Sequence, residues 1–362
     1  MKISGKLRKA AYSSLAFVLV SIAVFSLYER ISIYSGGEDV AVMAAALTMS
    51  KGNYTISQTR KPKRVVKKSK TKTSEPQPPT EKPLTSSNFS EKYYNTFSSH
   101  SGKKKYPIYS KQYRVGGKKY ENFYVKNNTS YDLNIGETLK KSLGFKLDKN
   151  DDVQVLIYHT HTSESFIDCD LGYYYSDFYP RTKDNRYNIT QVGDEIEKQL
   201  KNAGIGVVHD RTNHDELYTG SYSRSRKTIE KYLKQYPNIK VTLDIHRDSI
   251  GSDTYKIKPT FSYKGKKGAQ IMILSGYDPG GIYDFPNWNY NLRFALKLQK
   301  ECETRYSGMT RPLDFGNFAY NMNINTGSLL IEVGADGNTL DEAKYSGKLL
   351  GKALSEVLQN SY

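Results

Sequence analysis

The sequence contains only two cysteines, Cys169 and Cys302, and they lie far apart in the chain. They form no CxxC pair, which excludes a cysteine zinc ribbon and a thioredoxin-like redox motif. An HExxH zinc motif and a GxSxG nucleophile elbow are also absent. The lack of the elbow disfavours a serine hydrolase built on Ser163 or Ser165. A catalytic site must therefore be assembled from residues that are far apart in the sequence.

Positive charge is abundant, but much of it lies outside the part of the chain that we predict to fold. The net charge is +17, and residues 51–105 are rich in Lys, Ser, Thr and Pro. This segment cannot bury enough apolar surface to offset the entropy of ordering it. We predict an extracytoplasmic basic linker at residues 31–105. Because its charge is on a tether, we expect contacts with anionic lipids or wall polymers and no nucleic-acid partner.

A long uncharged segment lies near the start of the chain, at residues 10–28, and basic residues precede it. A helix of this length would be about 28 Å long, close to the roughly 30 Å hydrocarbon core of a bilayer. By the positive-inside rule, the chain after Arg30 lies outside the cytoplasm. We therefore predict that residues 1–30 form a cytoplasmic start and a single transmembrane helix. A cleaved signal peptide is the alternative.

Strand and helix patterns alternate through residues 106–362, which we predict to be the catalytic domain. Apolar runs predict strands at residues 153–158, 206–209, 240–246, 269–275 and 328–333. Spacing of 3.6 residues predicts helices at residues 192–203, 226–236, 289–304 and 340–358. A Gly-Gly turn in YRVGGKKYENFYVKN predicts a small hairpin. This alternation predicts an α/β fold, a twisted and mostly parallel or mixed sheet flanked by helices.

Polar side chains follow three of these strands where each strand ends. His159, His161 and Glu164 follow the first strand in YHTHTSESF, His246 ends KVTLDIH, and Glu332 lies in SLLIEVG. Ligands in open α/β sheets collect at the carboxyl ends of strands. Zinc hydrolases need imidazole and carboxylate ligands, an open position for water, and a further carboxylate to accept a proton. The sequence therefore predicts a Zn²⁺ site at this edge of the sheet.

Six blocks of the sequence, in order, resemble the stage II sporulation protein P family. They are YHTHTSESF, VGDEIEKQL, GIGVVHDRTNHD, DIHRDS, PNWNYNLRFALKL and LLIEVGADGNTLDEA. That family is similar to the type 3 zinc-dependent N-acetylmuramoyl-L-alanine amidases. The resemblance implies hydrolysis of peptidoglycan at the amide between N-acetylmuramic acid and L-alanine, with an endopeptidase activity on crosslinks also attributed to the family. It further implies a role in engulfment at the mother-cell membrane facing the forespore, with the stage II sporulation proteins D and M as partners.

The amidase pattern, carried onto this sequence, suggests the metal ligands. The first histidine ligand is His161 or His159, and the second is His246. The amidases take their carboxylate from the start of the following helix, which would correspond to a position near Asp184. Glu164 is nearer and is the preferred candidate.

The same pattern makes Glu332 the catalytic residue. A structural salt bridge from Glu332 to Arg247 or Arg311 is the alternative. We also expect Arg247 to hold a stem-peptide carboxylate and Asp244 to orient His246. Two other functions use the same residues or fewer: a metallopeptidase that acts only on crosslinks, and a wall-binding scaffold without catalysis.

Overall fold

The computed structural model describes residues 102–149 and 152–361. The strands of these residues are β1 (Lys105–Lys111), β2 (Lys118–Tyr120), β3 (Phe123–Asn127), β4 (Val153–Tyr158), β5 (Tyr173–Tyr175), β6 (Gly206–His209), β7 (Val241–Asp248), β8 (Gly251–Ser252), β9 (Tyr255–Tyr263), β10 (Lys266–Ala269), β11 (Ile271–Gly276), β12 (Leu313–Gly316) and β13 (Ser328–Ala335). The helices are α1 (Ile135–Lys140), α2 (Thr190–Asn202), α3 (Ser221–Gln235), α4 (Trp288–Arg305) and α5 (Leu340–Gln359), with a 3-10 turn at Met322–Ile324.

The main sheet has eight strands in the order β2-β3-β12-β11-β13-β7-β4-β6. The pairs β2–β3 and β11–β13 are antiparallel, and the other five pairs are parallel. Helices cover the sheet on both faces. The prediction of a mixed, mostly parallel sheet flanked by helices is therefore confirmed.

Strand β4, which lies between β7 and the edge strand β6, shows why this sheet must be covered on both sides. Its residues Val155, Leu156, Ile157 and Tyr158 are all buried. Val155 and Ile157 belong to the core that includes α2, α4 and α5, whereas Leu156 and Tyr158 pack with Ile229 of α3. Burying each aliphatic side chain contributes about 1.5–3 kcal/mol. A strand that is apolar on both faces thus fits only between two layers of helices.

The predicted strands and helices are confirmed within a few residues at each end. The predicted hairpin is wrong in its turn, because β2 and β3 are joined through Glu121 and Asn122 and not through Gly116 and Gly117. Gly117 has a φ of +79°, and a Cβ there would lie 2.1 Å from the carbonyl oxygen of Val125. Glycine at position 117 allows the backbone to pass close to β3. A glycine needed for such a close contact cannot be distinguished in the sequence from a glycine needed for a turn.

A second sheet, in the order β10-β9-β1-β5 with β8 beside β9, has no counterpart in the sequence-based prediction. Strand β1 pairs in parallel with β9 and antiparallel with β5. Only one of the seven residues of β1 is buried. Such a strand lacks the apolar run or strict alternation by which strands are recognised in a sequence.

The structure corrects the predicted localisation. Within residues 102–149 and 152–361, none of the helices is both long enough and apolar enough to cross a membrane. The longest helix, α5, carries six charged residues, among them Asp341, Glu342 and Lys344. The predicted transmembrane segment at residues 10–28 and the linker at residues 31–105 lie outside the described residues. The prediction of a single-pass membrane protein is accordingly withdrawn.

Helix α5 begins with a capping box that also anchors the segment following β4. The Thr339 hydroxyl accepts a hydrogen bond from the Glu342 N–H, and the Glu342 carboxylate accepts one from the Thr339 N–H, both at 3.1 Å. Ile167, shortly after Glu164, forms an isolated bridge with Thr339. The start of α5 therefore helps to fix the chain that leaves the candidate site.

We predict that Thr339→Ala lowers the free energy of unfolding by about 1 kcal/mol, because one of the two hydrogen bonds of the capping box is lost. Thr254→Ala, in an exposed turn, is the control and should change stability by less than about 0.5 kcal/mol. Urea denaturation of the full chain measures both values. Equal values for the two variants would contradict a role of the cap.

Candidate metal centre

The polar segment after β4 is buried because two carboxylates bind it. The N–H and hydroxyl of Thr160 donate to Asp244 at 2.8 and 2.6 Å. The N–H and hydroxyl of Ser163 donate to Asp215 at 3.0 and 2.6 Å. Asp244 comes from β7 and Asp215 from the loop after β6. The segment is thus held from two sides, and its imidazoles are fixed at the end of the strand.

His159 has both ring nitrogens engaged. Its Nδ1 donates to the carbonyl of Ile245 at 2.7 Å, and its Nε2 lies 2.8 Å from Nε2 of His209. The side chain is completely buried. Burial, and then the neighbouring His209, hold the pKa of His159 well below its usual range. Neither nitrogen is free for another ligand in this arrangement.

His161 is placed differently. Its Nδ1 is buried and has no hydrogen-bond partner among the described residues. The centre of its ring is 5.3 Å from that of His246. Burial, followed by repulsion from His246, lowers the pKa of His161 to about 4. The imidazole is therefore neutral at physiological pH, as a metal ligand must be.

His246 lies among carboxylates. Its Nδ1 is 3.7 Å from Oε2 of Glu164, and its Nε2 is 2.8 Å from Oδ1 of Asp244. The second contact is a close ion pair when the imidazole is protonated. Burial alone would lower the pKa of His246, but Asp244, and then Glu164 and Glu332, raise it to about 10. The site therefore has a strongly negative potential that favours a cation.

Glu164 is held by two arginines. Its Oε2 accepts a hydrogen bond from the backbone N–H of Arg247 at 3.0 Å, and Nη2 of Arg181 lies 3.6 Å from its Oε1. Arg181 in turn donates to Asp215 at 2.6 Å. Sequence reasoning singled out neither Arg181 nor Asp215, although Asp215 is the last residue of the block GIGVVHDRTNHD. Asp184, the other candidate for the carboxylate ligand, is paired with Arg186 instead.

Glu332 lies directly beside His246 in the parallel ladder of β13 and β7. Its side chain is partly exposed, but Oε2 is buried and unpaired in the described part of the chain. Burial raises the pKa of Glu332 to about 8, against the lowering effect of His246. The register shifts after Glu332, and Gly334 has a φ of +72°. Such bulges are common next to active sites.

Neither arginine that was considered as a partner of Glu332 forms a salt bridge with it in the described residues. Arg311 pairs with Asp248 at 2.8 Å. Arg247 is buried, and its guanidinium donates to the carbonyls of Ser165 at 3.1 Å and Pro180 at 2.6 Å. These hydrogen bonds engage the guanidinium with the backbone at Ser165 and Pro180. The predicted contact of Arg247 with a stem-peptide carboxylate therefore has no support in this arrangement.

Two tyrosines that the sequence did not single out enclose the imidazoles. The ring of Tyr218 is stacked on His161 at 4.6 Å between centres, with an angle of 5° between planes. Tyr222, in the first turn of α3, meets His161 edge-on at 5.7 Å and lies parallel to His246 at 6.4 Å. With 31 tyrosines in the chain, composition alone could not identify these two.

The backbone of the loop that carries Tyr218 is bound at three points by one side chain, Arg224 of α3. Its guanidinium donates to the carbonyls of His214 at 2.6 Å and Thr219 at 3.1 Å, and also to that of Leu217. Leu217 itself is 71% exposed. The loop therefore lies over His161 with its backbone bound beneath and an apolar side chain facing solvent.

Two buried polar atoms without hydrogen bonds in the described chain, His161 Nδ1 and Glu332 Oε2, occur in this one region, whereas His246 Nε2 is 2.8 Å from Asp244 Oδ1. Unpaired buried polar atoms are costly, and an unbound ligand is one reason for them. The residues thus fit a zinc ion by type, and two of them have a buried ligand atom that makes no hydrogen bond in the described residues. Their ligand atoms do not all lie within 4.8 Å of one another; among the described residues only Asp194, Glu197 and His209 meet that limit.

Comparison with known proteins shows a family relationship. The family model of stage II sporulation protein P matches residues 35–355. Stage II sporulation protein P of Bacillus subtilis (strain 168) is 29% identical over 217 residues, covering 56% of this chain and 50% of that protein. The chain therefore spans about half the length of this curated relative.

Two solved structures are similar over part of the chain. The apo form of the N-acetylmuramyl-L-alanine amidase Ami1 from Mycobacterium abscessus has 14% identity and a TM-score of 0.34, covering 58% of this chain and 99% of that one. The CwlD amidase from Clostridioides difficile, in complex with the GerS lipoprotein, has 12% identity and a TM-score of 0.33, covering 57% and 98%. TM-scores this low support no conclusion about this chain.

The contact of Asp215 with the segment after β4 gives a prediction. Asp215→Ala should lower the free energy of unfolding by about 3 kcal/mol, because it leaves Arg181 and Ser163 without their buried partner. Glu216→Ala is a matched control, since the neighbouring Glu216 pairs with Lys183 on the surface and should cost less than about 1 kcal/mol. Denaturant titration of the full chain measures both. A loss at Asp215 no larger than at Glu216 would show that the segment is held by other contacts.

Proposed function

The chain belongs to the stage II sporulation protein P family, and we propose that it is a zinc-dependent peptidoglycan hydrolase. The proposed reaction is cleavage of the amide between N-acetylmuramic acid and L-alanine during engulfment. The observation that carries the proposal is the proximity of His161, Glu164, His246 and Glu332 at one region of the sheet, with two buried polar atoms among them that lack hydrogen bonds in the described residues. Residues 106–362 are the proposed catalytic domain.

His161 and His246 are the proposed imidazole ligands, and Glu164 is the proposed carboxylate ligand. Two imidazoles and a carboxylate are a common ligand set of hydrolytic zinc. A bound zinc ion would polarise the scissile carbonyl and lower the pKa of a water molecule there. The free Nδ1 of His161 supports its choice over His159, whose nitrogens already contact Ile245 and His209.

Glu332 is the proposed general base. Its carboxylate would accept a proton from the attacking water and deliver it to the departing amide nitrogen. Burial raises the pKa of Glu332 to about 8, so its affinity for a proton is far higher than that of an exposed carboxylate. A group that must both take and give a proton works best when its pKa is near the working pH.

Neighbouring residues would orient the ligands. Asp244 lies 2.8 Å from His246, and Arg181 and the Arg247 N–H hold the two oxygens of Glu164. Such residues behind the ligands fix ring and carboxylate orientation and raise metal affinity. The stage II sporulation proteins D and M, implied as partners by the family resemblance, stay a prediction.

We predict that the full chain, incubated with purified peptidoglycan and zinc, releases stem peptides with a new L-alanine amine and leaves glycan free of peptide. Glu332→Gln should lower this rate by about 10²- to 10⁴-fold, because it removes the proton acceptor. Glu356→Gln, on the surface of α5, is the control. Mass spectrometry of the products measures the reaction.

The products also test the rivals. Loss of crosslinked dimers alone would overturn the amidase in favour of a peptidase. A Glu332→Gln protein as active as the wild type would overturn the role of Glu332.

We predict that His161→Ala weakens zinc binding by more than about tenfold, since loss of a residue behind a ligand already costs 10- to 100-fold. His214→Ala is the matched control. His214 is also a buried histidine near β4, but its nitrogens contact the His159 carbonyl and Thr228. Competition with a chromogenic chelator measures affinity. Equal affinities of the two variants would exclude His161 as a ligand.

A further inference from the structure

A second group of metal-ligating side chains lies behind the candidate site, between α2 and the end of β6. Asp194 and Glu197 are on α2, and His209 is the last residue of β6. Nδ1 of His209 is 3.2 Å from Oδ1 of Asp194 and 3.5 Å from Oε2 of Glu197. These residues have no part in the proposed hydrolysis.

Hydrogen-bond logic fixes the state of His209. The carbonyl of Ile245 can only accept, so His159 must donate from Nδ1. His159 is completely buried and has no carboxylate partner in the described structure, so it is neutral and its Nε2 is an acceptor. The proton in the 2.8 Å contact between the two Nε2 atoms therefore belongs to His209.

Nδ1 of His209 then indicates whether a cation lies beside Asp194 and Glu197. With Nε2 protonated, neutral His209 points the lone pair of Nδ1 at two carboxylate oxygens. This arrangement is repulsive unless a positive charge offsets it: a proton on Nδ1, a metal ion, or the guanidinium of Arg211, which contacts the same two oxygens. The His209 side chain is fully buried, and Nδ1 makes no hydrogen bond of acceptable geometry with any described residue. The contacts therefore fit a proton poorly.

The distances fit a metal ion better. Ligand atoms bound at about 2.0–2.2 Å in a tetrahedron are roughly 3.3–3.6 Å apart. The observed separations of 3.2 and 3.5 Å from Nδ1 are close to this edge length. One imidazole and two carboxylates leave the fourth position for water.

Gly193 shows that α2 is built around this histidine pair. A Cβ at this position would lie 2.5 Å from Cε1 and Nε2 of His209 and 2.9 Å from Nε2 of His159. Glycine inside a helix costs about 0.5–1 kcal/mol relative to alanine. The close approach of α2 to the two imidazoles is therefore a specific feature of the packing.

Arg211 is the competing cation. Its guanidinium contacts the carboxylates of both Asp194 and Glu197. The side chain is 40% exposed, so it can move into solvent without breaking the core. Arg211 and a metal ion would compete for the same oxygens.

We propose that Asp194, Glu197 and His209 form a second divalent-metal site, suited to zinc by its one nitrogen and two oxygen ligands. An ion there would join α2 to β6. Through His159 and the carbonyl of Ile245 it would also brace β7 directly beside His246. The site is distinct from the proposed catalytic one and does not depend on it.

The test is the number of zinc ions bound per full-length chain after dialysis against zinc alone, measured by elemental mass spectrometry. The wild type should bind two ions, and Glu197→Gln and His209→Gln should each bind one. Glu195→Gln, also on α2, is the control and should bind two. Arg211→Gln should bind the second ion at least about tenfold more tightly, because the competing charge is removed. Circular dichroism confirms that each variant is folded.

The outcomes separate this site from the proposed catalytic centre. His246→Ala should lose a different ion from the one lost in Glu197→Gln, so the double variant should bind none. If Glu197→Gln, His209→Gln and the wild type bind equal numbers of ions, the second site does not exist. If Arg211→Gln lowers the melting temperature without gaining zinc affinity, the group is an ion cluster of protonated His209 and Arg211, and the proposal is overturned.

Discussion

The parallel pairing of β7 with β13 is the constraint on which the candidate site depends. It places Glu332 beside His246, on the same face of the sheet. The register is fixed by apolar residues, since Leu329 and Ile331 face the main core while Leu330 packs on the opposite face. A shift of the register by one residue would place the Glu332 side chain in the main core, which Leu329 and Ile331 now fill. Hydrophobic packing on both faces thus determines where the charged groups meet.

The two imidazoles of the candidate site, His161 and His246, have pKa values shifted in opposite directions. Burial and a neighbouring imidazole depress the pKa of His161, whereas Asp244 and two glutamates raise that of His246. A metal ion needs both rings unprotonated. The carboxylates that increase the affinity of His246 for a proton increase the affinity of the whole site for any cation. If the proposed zinc ion binds beside Glu164 and Glu332, protons compete with it for His246.

The sequence predicted the parts of this molecule that follow simple periodic rules. Continuous apolar runs gave β4, β7 and β13, and the strand-end rule brought their polar residues together. The sequence did not identify Arg181, Asp215 and Tyr218 as site residues. They lie in loops, and no periodic pattern in the sequence predicts which loop residues come into contact. The second sheet escaped because its strands are largely exposed. The two histidines of YHTHTSESF could be told apart only by their partners in space.

The loop over His161 is bound at three backbone carbonyls by one planar group, the guanidinium of Arg224. The three carbonyls belong to His214, Leu217 and Thr219, so one side chain of α3 links three points of the loop. The ion pair between Lys183 and Glu216 binds the same loop from another side. Arg224 and Tyr222 lie on the same helix, and Tyr222 is one of the two rings beside His161. A displacement of α3 would therefore move the loop and this ring together.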